Sequence, residues 1–108
     1  MKRGDIVTVS APGAYGKPRP AVVVQSDWLQ VTDSVLVGLM TSTLQETPIF
    51  RLTIEPSPEN GLKRTSQIMV DKIVALPREK CGPPIGRLDP PSILALGRIL
   101  SLVFGLAD

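Results

Sequence analysis

At 108 residues the chain is long enough for one domain with a single thin core, and 12 basic against 10 acidic side chains leave a net charge of only +2. That balance excludes a global cationic field, so any nucleic-acid surface must be a local patch. One cysteine, Cys81, and no histidine exclude an internal disulfide, a Cys/His zinc site, and a Ser-His or Cys-His nucleophile pair.

Met1-Lys2-Arg3-Gly4-Asp5 has no apolar run behind it, so no secretory signal is expected and a cytoplasmic location follows. A basic start and a turn lead into the first alternating strand, 5–9. The stretch Ser10 to Pro18 holds Pro12, Gly13, Gly16 and Pro18, a loop long enough to move and to cover a site. It delivers Arg19, clamped between Pro18 and Pro20, to a β-branched strand at 20–26; an arginine held at a fixed angle is well placed to aim its guanidinium at a phosphate.

Further strands are expected at 35–41, 49–54, 66–70 and 72–76, with an additional one near Ile85 to Leu88. Between them, Glu55-Pro56-Ser57-Pro58-Glu59-Asn60-Gly61 is a turn by chemistry, because its prolines cannot join a ladder and Asn60-Gly61 tolerates positive φ. Asp89-Pro90-Pro91-Ser92 starts a helix with an acidic cap and prolines in the first turn. The run Ile93 to Leu106 is too short for a membrane span and is interrupted by Gly97, Arg98 and Ser101. Its polar stripe, Ser92, Arg98 and Ser101, is narrow, so the helix needs cover on more than one side, from a barrel and from a second subunit. Many short strands and one terminal helix predict a small, mainly β, α+β domain across 1–108, a β-rich barrel with a C-terminal helix.

Several segments, in order, resemble the MazF/PemK/Kid family of toxin endoribonucleases. They are Arg3-Gly4-Asp5-Ile6-Val7, Arg19-Pro20-Ala21-Val22-Val23-Val24, Gly38-Leu39-Met40-Thr41-Ser42, and Gly61 to Ile73 with its Ser66, Asp71 and Lys72. The resemblance implies a partly open SH3-like barrel, a homodimer, a cognate antitoxin, and metal-independent, sequence-specific cutting of single-stranded mRNA without any cofactor. The substrate's own 2′-hydroxyl would attack, leaving a 2′,3′-cyclic phosphate and a 5′-hydroxyl. It implies that Arg19 contacts the scissile phosphate, that Thr41 hydrogen-bonds its oxygens, and that Asp71 stands at an acidic position used in proton transfer. Lys17, Ser42, Arg64, Ser66 and Gln67 are the candidate RNA-binding residues around them. The antitoxin would lay a disordered, acidic and apolar tail in the RNA groove.

Residue chemistry is compatible with that reaction. Holding a phosphate in line and neutralising its oxygens takes a guanidinium, hydroxyls and backbone amides, with no histidine or metal cage. The chain departs from the family in the short Ala14-Tyr15-Gly16-Lys17-Pro18 loop, in lacking any histidine, and in Met69, where some relatives place a second arginine. The general acid and base are thus unassigned. Tyr15, Trp28 and Phe50 are the aromatics near binding loops. A gyrase-poisoning toxin of the related CcdB branch and a non-catalytic SH3-like binding module stand as alternatives. The chain ends Gly105-Leu106-Ala107-Asp108 without the tryptophan of the CcdB helix end.

Overall fold

The period-2 apolar runs form six strands, β1 (Asp5–Val9), β2 (Arg19–Val23), β3 (Ser34–Thr41), β4 (Arg51–Ile54), β5 (Ser66–Pro77) and β6 (Cys81–Arg87), followed by the helix α1 (Pro90–Val103). These come from a computed structural model, which describes residues 1–10, 17–46 and 49–107. The strands make one antiparallel, open sheet in the order β4-β5-β3-β2-β1-β6. Most of the expected loop 10–18, with Tyr15, lies outside the described residues.

Alternation sorts the strands' side chains onto two faces. On one face Ile6, Val22, Met40, Ile68 and Val70 pack with Leu96 and Leu100 of the helix. On the other, Val7, Val9, Ala21, Val23, Val35, Val37 and Leu76 form a second cluster. Burying each of the larger side chains contributes roughly 1.5–3 kcal/mol relative to leaving it exposed. The inner strands, covered on both faces, are therefore firmly registered, because a one-residue slip would exchange the two clusters.

Three expectations from sequence are adjusted. The segments 66–70 and 72–76 are one continuous strand: Gly38 pairs with Ile73 and Met40 with Ile68, so Leu39 alone faces 69–72 and a bulge absorbs the surplus. The second strand starts at Arg19 and ends at Val23, because Gln25 turns its side chain inward to bond Leu29 O at 2.8 Å and Leu36 N at 3.0 Å. The additional strand is longer than expected and starts at Cys81. It carries Pro83 and Pro84 without penalty because it lies at the sheet's edge, where missing ladder donors cost little.

The helix begins as its sequence predicts. Asp89 caps it by accepting a hydrogen bond from Ser92 N at 2.8 Å, with prolines at the first two helical positions. Leu96 and Leu100 are buried, whereas Leu94, Leu102, Phe104 and Leu106 are 58%, 51%, 59% and 78% exposed. The sheet thus covers one side of the helix and leaves the rest of its apolar circumference open. Among the described residues no helix is long and apolar enough to cross a membrane.

Candidate nucleic-acid interface

The site lies where β2 begins and β3 ends. Ala21 pairs with Leu39 and Val22 with Gly38; carried two residues further, that register sets Arg19 across from Thr41. Thr41 pairs in turn with Gln67, and Gln67 with Thr53. Arg19, Thr41, Gln67 and Thr53 therefore occupy one row across β2, β3, β5 and β4. Extended past its last pair, Ala21 with Leu39, the β2–β3 register thus sets two of the residues singled out from sequence, Arg19 and Thr41, at facing positions on adjacent strands.

Beside this row opens a cleft of about 570 Å³. Its walls carry Lys17, Arg19, Lys63 and Arg64 together with the hydroxyl-bearing Thr8, Ser42 and Ser66, and include no acidic side chain among the described residues. The four cations come from two separate segments, so the local patch required by a net charge of +2 is made by folding. Such a set of donors suits an anion of phosphate type: guanidinium and ammonium groups neutralise charge, and hydroxyls add directed hydrogen bonds.

The far wall is stiff. Asn60, only 5% exposed, accepts from Ser57 N and Leu62 N, each at 3.0 Å, and donates to Glu55 O at 2.8 Å. Gly61 takes φ +69° and lies so close to β6 that a Cβ there would stand 2.2 Å from the Ile85 carbonyl oxygen. The 55–65 loop is thereby pressed onto β6, and Lys63 and Arg64 project from an immobilised base.

Of the other predicted residues, Thr41 is half-buried and does not line the cleft, whose wall its neighbours Met40 and Ser42 supply, and its Oγ1 accepts a hydrogen bond from Thr43 N at 3.1 Å. That bond uses the oxygen as acceptor and leaves the hydroxyl proton available for donation. Ser66 is buried and donates to Arg64 O at 3.0 Å, which turns it toward shaping the loop. Gln67 is also buried, with both ends of its amide already hydrogen-bonded within the protein. Asp71 is exposed on β5 within the bulge and does not line the cleft. Trp28 belongs to the 24–33 loop, at the far end of β2 from Arg19. Phe50 is half-buried beside β4, where its carbonyl accepts from Val70 N.

Two contributors escaped the sequence reading of the site. Lys63 carries no motif of its own beside the candidate Arg64, and only the fold turns it into the cleft. Arg51, whose guanidinium reaches Gln67 Oε1 at 3.3 Å and Thr43 O at 3.4 Å, had no local signal, since its partners are 8 and 16 residues away. The lone Cys81 is no rival centre: burial pushes its thiol pKa up, opposed by the nearby Arg78 cation, so little thiolate is present at neutral pH. Among the described residues no group of three or more His, Cys, Asp or Glu side chains could hold a metal ion.

The folded chain is similar to several solved toxins. It superposes with a TM-score of 0.80 and 20% identity on an endoribonuclease in complex with its cognate antitoxin from a mycobacterial species, covering 98% of this chain and 96% of that one. The Mycobacterium tuberculosis toxin MazF-mt6 gives 0.80 and 20%, over 94% and 96% of the two chains. A MazE-MazF structure from Deinococcus radiodurans gives 0.78 and 20%, over 97% and 96%. At this identity these likenesses show the fold. In sequence, the chain is 40% identical over 108 residues to a protein of Mycolicibacterium smegmatis named "Probable endoribonuclease MazF", covering 99% of both. The family pattern described as "PemK-like, MazF-like toxin of type II toxin-antitoxin system" matches residues 2–104. With that pattern matched across nearly the whole chain, and the strand order, helix and cationic cleft already in view, the chain belongs to the PemK-like, MazF-like toxins of type II toxin-antitoxin systems.

Proposed function

We propose that the chain is a cytoplasmic, metal-independent endoribonuclease that cuts single-stranded mRNA at a preferred sequence, acting as the toxin of a toxin-antitoxin pair. The observation that carries this reading is the cleft in which Lys17, Arg19, Lys63 and Arg64 converge with the hydroxyls of Thr8, Ser42 and Ser66. The 40% identical relative, named an endoribonuclease, supports the same activity. In the reaction the RNA supplies its 2′-hydroxyl as nucleophile. Arg19 holds the scissile phosphate and neutralises its developing charge, and the Thr41 hydroxyl donates to a non-bridging oxygen. Lys17, Ser42, Lys63 and Arg64 hold the flanking chain, and solvent water carries the protons. Cations and hydroxyls are good phosphate donors and poor ligands for a divalent ion, which favours a reaction without metal.

The exposed apolar residues of the helix and the turn that follows it, Leu94, Leu102, Phe104 and Leu106, are the proposed contact between two copies of the chain. Leu102→Asp is expected to yield monomers in analytical ultracentrifugation. An antitoxin partner is proposed from the family and from the cognate antitoxin that accompanies the mycobacterial structure. The cationic cleft would receive the acidic part of its tail.

The deciding experiment incubates purified protein with a long single-stranded RNA in EDTA, alongside Arg19→Ala and a DNA of matching sequence. The expected result is RNA fragments ending in 2′,3′-cyclic phosphate, absent with DNA and reduced about 10³-fold with the variant. Intact RNA at high protein concentration, or cutting abolished by EDTA, would sink the proposal.

A further inference from the structure

Gln67 is 5% exposed, and it sits in the row between Thr41 and Thr53. Its carboxamide is fully used. Oε1 accepts from Gln45 N at 3.0 Å and from the Arg51 guanidinium at 3.3 Å, while Nε2 donates to Gln45 O at 2.9 Å and meets Thr53 Oγ1 at 3.1 Å. Both backbone groups of Gln45 are thus held by one side chain lying 22 residues further along the chain. This is how a strand would hold an adjacent strand, and it replaces the ladder that the loop between β3 and β4 lacks at that point.

The same guanidinium fastens the loop a second time, donating to Thr43 O at 3.4 Å. Thr43 in turn donates its N–H to Thr41 Oγ1 at 3.1 Å. A closed circuit results: Gln67 holds Gln45 and Arg51, Arg51 holds Thr43, and Thr43 orients the Thr41 hydroxyl. Arg51 Nε is buried and has no partner among the described residues. A buried donor left unpaired weakens stability, so the placement of Arg51 is not accounted for by stability alone.

Resting on the ribonuclease reading above, we infer that Gln67, with Arg51, is a positioning residue that fixes the direction of the Thr41 hydroxyl without touching RNA. A buried amide with every polar atom engaged has no capacity left for a base or phosphate. Its effect falls on the geometry of the reacting phosphate, and binding by Lys17, Lys63 and Arg64 is untouched. The signature is therefore a loss in kcat with KM unchanged. Misplacing a donor by an ångström costs on the order of 10²-fold in rate.

The test uses Gln67→Met, which keeps the side chain's length and suits a buried position, and Arg51→Met as a second variant should the first fail to fold. Steady-state cleavage is followed on an oligoribonucleotide carrying the mapped cut site. Gln67→Met is expected to lower kcat about 30-fold with KM within about twofold, and Arg51→Met about fivefold. In a Thr41→Val background neither variant lowers kcat further, because the group they position is already gone. Undiminished kcat, a raised KM at normal kcat, or losses that multiply with Thr41→Val would each overturn the inference.

Amide hydrogen exchange separates this from failure of the ribonuclease reading. Gln45 N–H is expected to exchange faster in Gln67→Met while β3 and β5 stay protected. Unchanged protection at Gln45 refutes the clamp whether or not the wild-type protein cuts RNA. A wild type that leaves RNA intact refutes the reaction, and with it the rate role assigned to Gln67.

Discussion

Two neighbouring loop segments, 42–46 and 55–65, are each fastened by one buried amide side chain, yet they are fastened differently. Asn60 holds its own loop from within, bonding Glu55, Ser57 and Leu62. Gln67 holds the other loop from outside, reaching back 22 residues to Gln45. The first loop is a self-contained turn resting against β6. The second has shape only because a strand lends it one, and it is the loop that adjoins Thr41. Rigidity in one case is local and serves stability; in the other it is borrowed and serves the site.

That contrast is sharpened by variants that strike each loop. Gly61→Ala is expected to cost the most, about 3–4 kcal/mol of stability in chemical denaturation, because φ +69° disfavours a side chain and the new Cβ would press on the Ile85 carbonyl. Thr41→Val is the counterpart on the other side: about 10²-fold lower kcat with the denaturation midpoint unmoved. A Thr41 variant that unfolds the protein would erase the distinction. Asn60→Ala strands two N–H groups and a carbonyl and is expected to destabilise by about 2 kcal/mol, with residual activity falling only as the folded fraction falls.

Asp71→Asn tests the edge of the site, since Asp71 does not line the cleft. Cleavage within about threefold of wild type fits transfer of protons through water, whereas a loss in the 10²–10⁴ range typical of a general acid or base would restore Asp71 to the reaction. The smallest effect concerns pH. Hydrogen bonds from the Ser92 side chain and backbone N–H hold the Asp89 pKa below its ordinary value. A depressed folded-state pKa contributes stability that is complete above the unfolded value of about 3.9 and is lost as pH falls through the folded one. A slight drop in thermal midpoint over that acid window is expected for the native chain and should vanish in Asp89→Ala. A drop that persists in the variant would assign it to other carboxylates.

How much was legible in sequence follows the same division between local and borrowed structure. Asn60-Gly61 announced its turn, Asp89 with two prolines announced its helix, and the alternation in Asp5–Val9 set the limits of β1. All of these are settled by a residue and its close neighbours. The break expected within 66–76 did not form, because a bulge lets one strand carry the surplus residues past Leu39. Of the site, Arg19 stood out through its flanking prolines and its resemblance to a known motif. Its place across from Thr41 in the extended β2–β3 register and the convergence of Lys17 with Lys63 and Arg64 needed the sheet order. Gln67 drew notice as a candidate RNA contact, and nothing in its neighbours reveals that its amide is consumed by Gln45, Thr53 and Arg51.

The edges of the sheet carry one more consequence. At one side stands β4, four residues long; at the other stands β6, where Pro83 and Pro84 remove amide hydrogens. Neither offers a long row of free donors and acceptors to a further strand. Runaway polymerisation through added strands is thus disfavoured at both ends, and a protein that exposes so much aliphatic surface on its terminal helix is directed toward finite assemblies built face to face.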